Sequence, residues 1–297
     1  MPISAVLCPA CGKQPTDHFE LGPCPLSPSE RNWYGWTINH ELADNLHADG
    51  HITPTRLLTC PRKTLLEDYT PYTLNPLWHN STAVGTKIHE ATSRSPLRLK
   101  GKLWGLDIEG ECDNYEQLPD GTWWIDDTKS HGDNTASRIL SDPNGPSDEY
   151  KVQFGIYAIL FEQQTEDMGE KCVVTRLTAS HFSPLYRYSE YFEFKVVEVP
   201  IMGEDWIGNV RPLGNPFTVK QLAGFYQNAL AAIKEIGLKF NKLAANSTGF
   251  KVADIDLGVG EAIASCVPKV GAEMLKQKSG SWLCSHCPVK DLCDSLG

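Results

Sequence analysis

The strongest constraint on this chain is a hairpin written around Pro119-Asp120-Gly121. That tripeptide is a turn signal, and the runs on either side, Lys102 to Gln117 and Thr122 to Ser130, read as strands. Trp123-Trp124-Ile125 opens the second run with residues suited to a pleated, half-buried surface. Side chains alternate along a strand, so Asp127 and Lys129 share one face and Asp126 points to the other. Asp126 is therefore expected to be structural. Asp113, on the first run, is expected to sit opposite Asp127 and Lys129 across the pair, with Glu109 and Glu111 on its own face.

The rest of the chain sets helices around this hairpin. Thr53 to Tyr69 reads as a helix with Pro54 in its first turn and Pro71 beyond its end. Val84 to Ser93 reads as a second, short helix. His131 to Ser147 is rich in turn residues and reads as a loop, followed by a helix over Asp148 to Gln164. Lys171 to Phe182 and Ser189 to Pro200 read as two more strands. Thr218 to Leu243 is a long amphipathic helix, and Val259 to Lys278 a helix broken at Pro268. The order implies an α/β fold: a central mixed sheet flanked by helices. Residues 1–50, rich in Pro, Cys, His and Trp, read as a small extension to a main domain over 51–297.

Charge and cysteine content narrow the setting. The formal net charge of −10 argues against coating nucleic acid through bulk positive charge. It leaves room for a local basic groove beside a carboxylate site. No apolar run is long enough to cross a bilayer, and Met1 to Pro15 lacks a basic-then-apolar leader, so a cytoplasmic location without membrane contact is expected. In that compartment disulfides are rare, so the dense groups among the ten cysteines read as ligands.

Two carboxylates and a lysine on adjacent strands suit one chemistry in particular. Phosphodiester hydrolysis at neutral pH needs a divalent ion to polarise the phosphate and lower the pKa of a water, with a cation near the developing charge. Hard oxygen ligands favour Mg²⁺ or Mn²⁺. An Asp-x-Lys triplet alone equally fits an exposed hairpin, so the neighbouring segments decide.

Those segments resemble the RecB-like branch of the PD-(D/E)XK nucleases. Asp113 matches that family's first metal-binding aspartate, and Asp127 with Lys129 its (D/E)-x-K triplet. Gly85-Thr86-Lys87-Ile88-His89 resembles the family's G-x-x-x-H helix, which implies that His89 is a metal ligand. Gln153 and Tyr157 resemble its Q-x-x-x-Y helix, and a spacing of four puts them on one helical face. The resemblance implies a restriction-endonuclease-like PD-(D/E)XK core. His89, Asp113 and Asp127, with the Thr128 carbonyl, would bind Mg²⁺ or Mn²⁺. Lys129 would orient the attacking water, and Gln153 and Tyr157 would position the scissile strand. Arg62, Lys63 and Lys87 are candidate phosphate contacts.

The late cysteines run Cys284, Cys287 and Cys293, one ligand short of a four-coordinate site. Cys60, in Leu57-Leu58-Thr59-Cys60-Pro61-Arg62-Lys63, can supply the fourth. This pairing resembles the iron–sulfur subset of RecB-like nucleases, similar to the AddB nuclease domain and the CRISPR-associated exonucleases. It implies a 4Fe–4S cluster closing a C-terminal helical region onto the domain's first helix. Zn²⁺ at the same thiolates, or Zn²⁺ using His286, stays open. Cys8, Cys11, His18 and Cys24 form a possible separate zinc site in the extension. Cys112, Cys172 and Cys266 read as small buried residues.

The expected function is a metal-dependent DNA exonuclease acting on single strands or DNA ends. A catalytically silent DNA-end-binding or adaptor module in recombination or CRISPR adaptation is the alternative, and the intact Asp113, Asp127 and Lys129 argue against it. Without a G-x-x-x-x-G-K-[ST] motif the chain carries no ATP-driven motor, so it would stand alone or serve partner proteins in repair, recombination or CRISPR adaptation. A bacterial or bacteriophage-infected cell is the expected setting.

Overall fold

The computed structural model describes residues 3–6, 52–70, 72–74, 93–94, 96–130, 147–182, 194–212, 215–244, 252–268, 287 and 289–297. The expected helix over Val84 to Ser93 lies almost wholly outside these residues. Of the extension, Ile3–Val6 (β1) is described, and it pairs in parallel with Tyr72–Leu74 (β2).

The expected helix from Thr53 to Tyr69 is two helices, Pro54–Leu57 (α1) and Pro61–Tyr69 (α2). Thr53 caps the first, its hydroxyl accepting the Arg56 N–H at 3.1 Å. Pro61 causes the break. It lacks an N–H and pushes the preceding residue out of helical geometry, so Cys60 stands at φ −70°, ψ 114° as the N-cap of α2.

The expected strand from Lys102 to Gln117 is also divided. Leu97–Leu103 (β3) and Leu106–Cys112 (β4) form a tight antiparallel hairpin turning at Trp104 (φ 50°) and Gly105 (φ 82°). Positive φ at both central residues matches the twist of the flanking strands. Tryptophan rarely enters that region, so the turn carried no local signal. At Asp113 the chain leaves β4 and begins Asn114–Gln117 (β5), which pairs with Trp123–Ser130 (β6). Here the hairpin is as expected: Gly121 has φ 84°, and the Leu118 N–H reaches the Thr122 oxygen at 2.7 Å.

Asp148–Asp167 (α3) then crosses over to Val174–Phe182 (β7), which lies parallel to β6 with Asp127 beside Ala179. Phe194–Val199 (β8) closes the sheet antiparallel to β7, giving the order β5-β6-β7-β8. The remaining helices are Glu204–Asn209 (α4), Val219–Ala244 (α5), Val252–Cys266 (α6) and Lys290–Ser295 (α7). Helix α6 begins seven residues before the expected Val259 and ends ahead of Pro268.

The architecture is mixed α/β. Helix α3 packs on β3 and on one face of the four-stranded sheet, while α5, α6 and α7 gather around α2. One apolar core joins them: Leu57, Leu65, Leu99, Ile108, Ile125, Phe154, Leu160, Leu177, Tyr226 and Ile263. Among the described residues no helix is long and apolar enough to cross a membrane.

Candidate active site and thiol cluster

Strand β6 sits between β5 and β7, so both of its edges are hydrogen-bonded and its side chains alternate between the two faces of the sheet. One face carries Asp126, buried, accepting hydrogen bonds from the Thr178 hydroxyl at 2.6 Å and the Ser180 hydroxyl at 2.8 Å. Thr178 lies directly across the parallel ladder and Ser180 two residues further along β7, so Asp126 is bound into the sheet on the face its alternation implies. The other face carries Ile125, Asp127 and Lys129 toward α3.

Asp127 is 3% exposed and forms an ion pair with Lys129. The Lys129 ammonium also lies 5.6 Å from the Phe154 ring centroid and 5.7 Å from that of Tyr150. Aromatic faces attract a desolvated cation, so these two rings form a shelf for Lys129. Asp113, 6% exposed, is the junction residue between β4 and β5. Its Oδ2 accepts the Thr128 main-chain N–H at 2.6 Å and its Oδ1 accepts the Ser93 hydroxyl at 2.8 Å. Thr128 is buried and contributes this N–H to the cluster.

Gln153 and Tyr157 complete the wall from α3, the Gln153 Nε2 donating to the Tyr157 hydroxyl at 2.9 Å. Burial pushes the Tyr157 phenol well above its ordinary pKa, and the charges of Asp127 and Asp113 push the same way. Cys112 is buried beside them. Burial first, then Asp127, raises its thiol to about 12, so it stays neutral. Gly110 makes room for this packing: a Cβ there would meet Pro54 Cδ at 2.8 Å and Tyr157 Cε1 at 3.0 Å.

The structure thus brings Asp113, Asp127, Thr128, Lys129, Gln153 and Tyr157 together. His89 and Lys87 lie outside the described residues. The alternatives on Asp113's strand fall away: Glu109 is bound up with Arg98 and Lys100, and Glu111 is exposed. Ser93, Tyr150, Phe154 and Gly110 were not foreseen. The two rings were findable, since Tyr150, Gln153, Phe154 and Tyr157 recur at helical spacing of three and four.

The thiols gather at the start of α2. Cys60 caps that helix, α7 packs against it, and the Cys293 sulfur lies 3.8 Å from Arg62 Nη1. The Cys287 thiol is raised to about 12, by burial first, with Lys63 opposing and Cys60 adding to the shift. Cys284 and His286 lie outside the described residues, as do Cys8, Cys11, His18 and Cys24. Among the described residues no group of three or more His, Cys, Asp or Glu side chains is arranged to hold a metal ion. Cys172 and Cys266 are half-buried, less enclosed than their sequence context implied.

One expectation needs correction. Arg62 does not face phosphate: it is 2% exposed, and its guanidinium donates to the oxygens of Ala264 and Gly297. Lys63 is partly exposed and pairs with Glu67 at 3.6 Å, one turn along α2.

No family model matches the chain, and no curated protein matches it. Among solved structures, SSO0001 aligns over 67% of this chain and 84% of its own, at 15% identity and a TM-score of 0.38. A "putative exonuclease" from Eubacterium rectale aligns over 41% of this chain and 44% of its own, at 17% identity and a TM-score of 0.25. Likeness at these scores leaves any functional reading to the chain's own residues.

Proposed function

We propose that this chain is a metal-dependent deoxyribonuclease with a RecB-like PD-(D/E)XK core, hydrolysing phosphodiester bonds in single-stranded DNA or at DNA ends. The observation that carries the reading is the meeting of Asp113 with the Asp127–Lys129 pair, beneath Gln153 and Tyr157. Two carboxylates this far from water need compensating positive charge. Lys129 supplies part of it, and a hard divalent ion fits the remaining oxygen donors. His89, Asp113, Asp127 and the Thr128 carbonyl would hold Mg²⁺ or Mn²⁺, which supplies Lewis acidity and an acidified water.

The chain's own residues supply the rest. Lys129, steadied by Tyr150 and Phe154, orients the attacking water and offsets the charge that grows on the phosphate. Tyr157, held protonated by burial, donates a hydrogen bond rather than accepting a proton. Gln153 fixes that hydroxyl and positions the scissile strand with it. Lys63 and Lys87 are the basic groups left to contact the DNA backbone.

The thiols belong to a second centre in this reading. Cys60, Cys284, Cys287 and Cys293 would hold a 4Fe–4S cluster, tying the C-terminal region to α2. Cys8, Cys11, His18 and Cys24 would hold zinc at a separate site in the extension.

Digestion of end-labelled single- and double-stranded oligonucleotides with Mn²⁺ tests the nuclease. Cleavage by the purified chain that disappears in Asp127→Ala and Lys129→Ala supports it. Undiminished cleavage by either variant sinks the site assignment.

A further inference from the structure

On the face of the sheet beneath α3, three strands change character at the same level. Ile125 on β6 lies beside Leu177 on β7, and Leu177 beside Val199 on β8, which makes a buried apolar row. Two residues along each strand, Asp127 lies beside Ala179, and Ala179 beside Val197. Two residues further, Lys129 lies beside His181, and His181 beside Lys195. Ladder partners share a face, so Lys129, His181 and Lys195 form a basic row next to the candidate site. Neighbouring strands lie about 4.8 Å apart, which puts position 195 about 10 Å from position 129. It stands at the edge of the sheet, since among the described residues β8 pairs with β7 alone. The row is assembled from three separate segments by the ladders, and no one segment shows it.

Lys129 is paired with Asp127, so it has little charge to spare for phosphates beyond the scissile one. In a chain of net charge −10, those phosphates need cations close by. The β3–β4 hairpin offers no surplus: Arg98 and Lys100 pair with Glu109, and Lys102 with Asp107. Of the two acids in the first turn of α3, Asp148 is already paired with Lys151 at 3.0 Å. We infer that His181 and Lys195 form a phosphate-binding subsite that leads a nucleic-acid strand from the candidate active site to the β8 edge of the sheet. Its ligand is the sugar–phosphate backbone of a single strand, and that identification rests on the nuclease reading above. Lys195 neutralises one phosphate, and His181 donates a hydrogen bond to the phosphate next to the scissile one. Contacts of this kind fix the position of the strand and carry no sequence information, so the subsite serves any sequence.

The test measures binding of a fluorescent single-stranded oligonucleotide to the full chain across a series of salt concentrations, in chelator so that hydrolysis does not run. Lys195→Gln is expected to lower the slope of log affinity against log salt by about 0.7, the share of one phosphate on a single strand. Lys195→Arg keeps the charge and the wild-type slope. His181→Ala binds more weakly than the wild type. Arg176→Gln is the control, because Arg176 is exposed on the opposite face of β7, paired with Glu198, and its loss changes the net charge by the same amount. Its slope is expected to match the wild type's. A wild-type slope in Lys195→Gln, or wild-type affinity in His181→Ala, overturns the inference. An equal fall in Arg176→Gln overturns it too, since that marks the charge of the whole molecule and not a place. So does an equal fall in Lys195→Arg, and so does a wild-type chain that binds no oligonucleotide. Cleavage with Mn²⁺ is scored separately. A chain that binds as expected and cuts nothing defeats the nuclease reading and leaves the subsite standing. A chain that cuts, with the slope unchanged in Lys195→Gln, defeats the subsite alone.

Discussion

Asp113 accepts the Thr128 main-chain N–H at 2.6 Å, so the carboxylate at the β4–β5 junction is tied directly to the strand carrying Asp127 and Lys129. The bond makes one side chain answer to two demands, one structural and one chemical. Asp113→Asn keeps an oxygen for the Thr128 N–H and loses the charge. It should unfold within about 1 kcal/mol of the wild type while abolishing cleavage. Asp113→Ala strands a buried donor and should cost about 1–3 kcal/mol as well. Urea unfolding beside an oligonucleotide assay separates the two, and cleavage by Asp113→Asn at the wild-type rate would refute the metal-binding role.

The Lys129 ammonium is enclosed by Asp127 and two rings, so its removal is felt in folding as well as in chemistry. Lys129→Ala leaves a buried carboxylate without this cation and should destabilise by about 3 kcal/mol. Mn²⁺ should return part of that loss, because it brings positive charge to the same carboxylate. Thermal melts with and without Mn²⁺ check this; a variant as stable as the wild type in metal-free buffer contradicts the enclosure.

The opposite face of β6 should behave differently. Asp126→Ala removes the acceptor for the Thr178 and Ser180 hydroxyls and should cost about 1–3 kcal/mol. Cleavage per folded molecule should persist, measured well below the variant's melting temperature. Loss of cleavage in a fully folded Asp126→Ala would mean that both faces serve the chemistry.

Gly110 gives a steric prediction. Gly110→Ala drives a methyl group against the rings of Pro54 on α1 and Tyr157 on α3. The expected cost is about 1–3 kcal/mol, with reduced cleavage as Tyr157 moves. A melting temperature equal to the wild type's would show that the ring can yield.

Alkaline pH should weaken the metal-free fold. The Cys112 thiol, ordinarily titrating at 9.0, is raised to about 12 in the folded chain. The raised folded value makes its stabilising contribution complete below pH 9.0 and lost progressively as pH climbs toward 12. Cys112→Ala should flatten that decline in urea midpoints taken across the window with chelator present. An unchanged slope would assign the alkaline limb to other groups, Tyr157 first.

Local chemistry was legible and long-range packing was not. The Pro119-Asp120-Gly121 turn and the alternation of Asp126, Asp127 and Lys129 are decided within a few residues, and the sequence shows them. The Cys60-Pro61 break was equally local; the apolar spacing across it concealed it. The turn at Trp104-Gly105 was hidden because its first residue belongs to a type that seldom adopts positive φ, and the bond from Gln227 to the Trp104 oxygen comes from far along the chain. Arg62 misled for a related reason. Beside Lys63 it reads as a surface cation, and its burial depends on Ala264 and Gly297, 202 and 235 residues away.

The paired fates of Asp126 and Asp127 also say something about how this strand tolerates length changes. The two residues are chemically identical neighbours, and the ladders with β5 and β7 decide which one faces α3. A single residue inserted or deleted ahead of them, if the pairing slipped to absorb it, would exchange their faces: Asp126 and Thr128 would turn toward Phe154 and Tyr157, and the lysine toward Thr178 and Ser180. The composition of the strand would be untouched and its chemistry gone. The turn that begins β6 therefore acts as a reading frame for the site, open to substitution yet closed to any odd change in length.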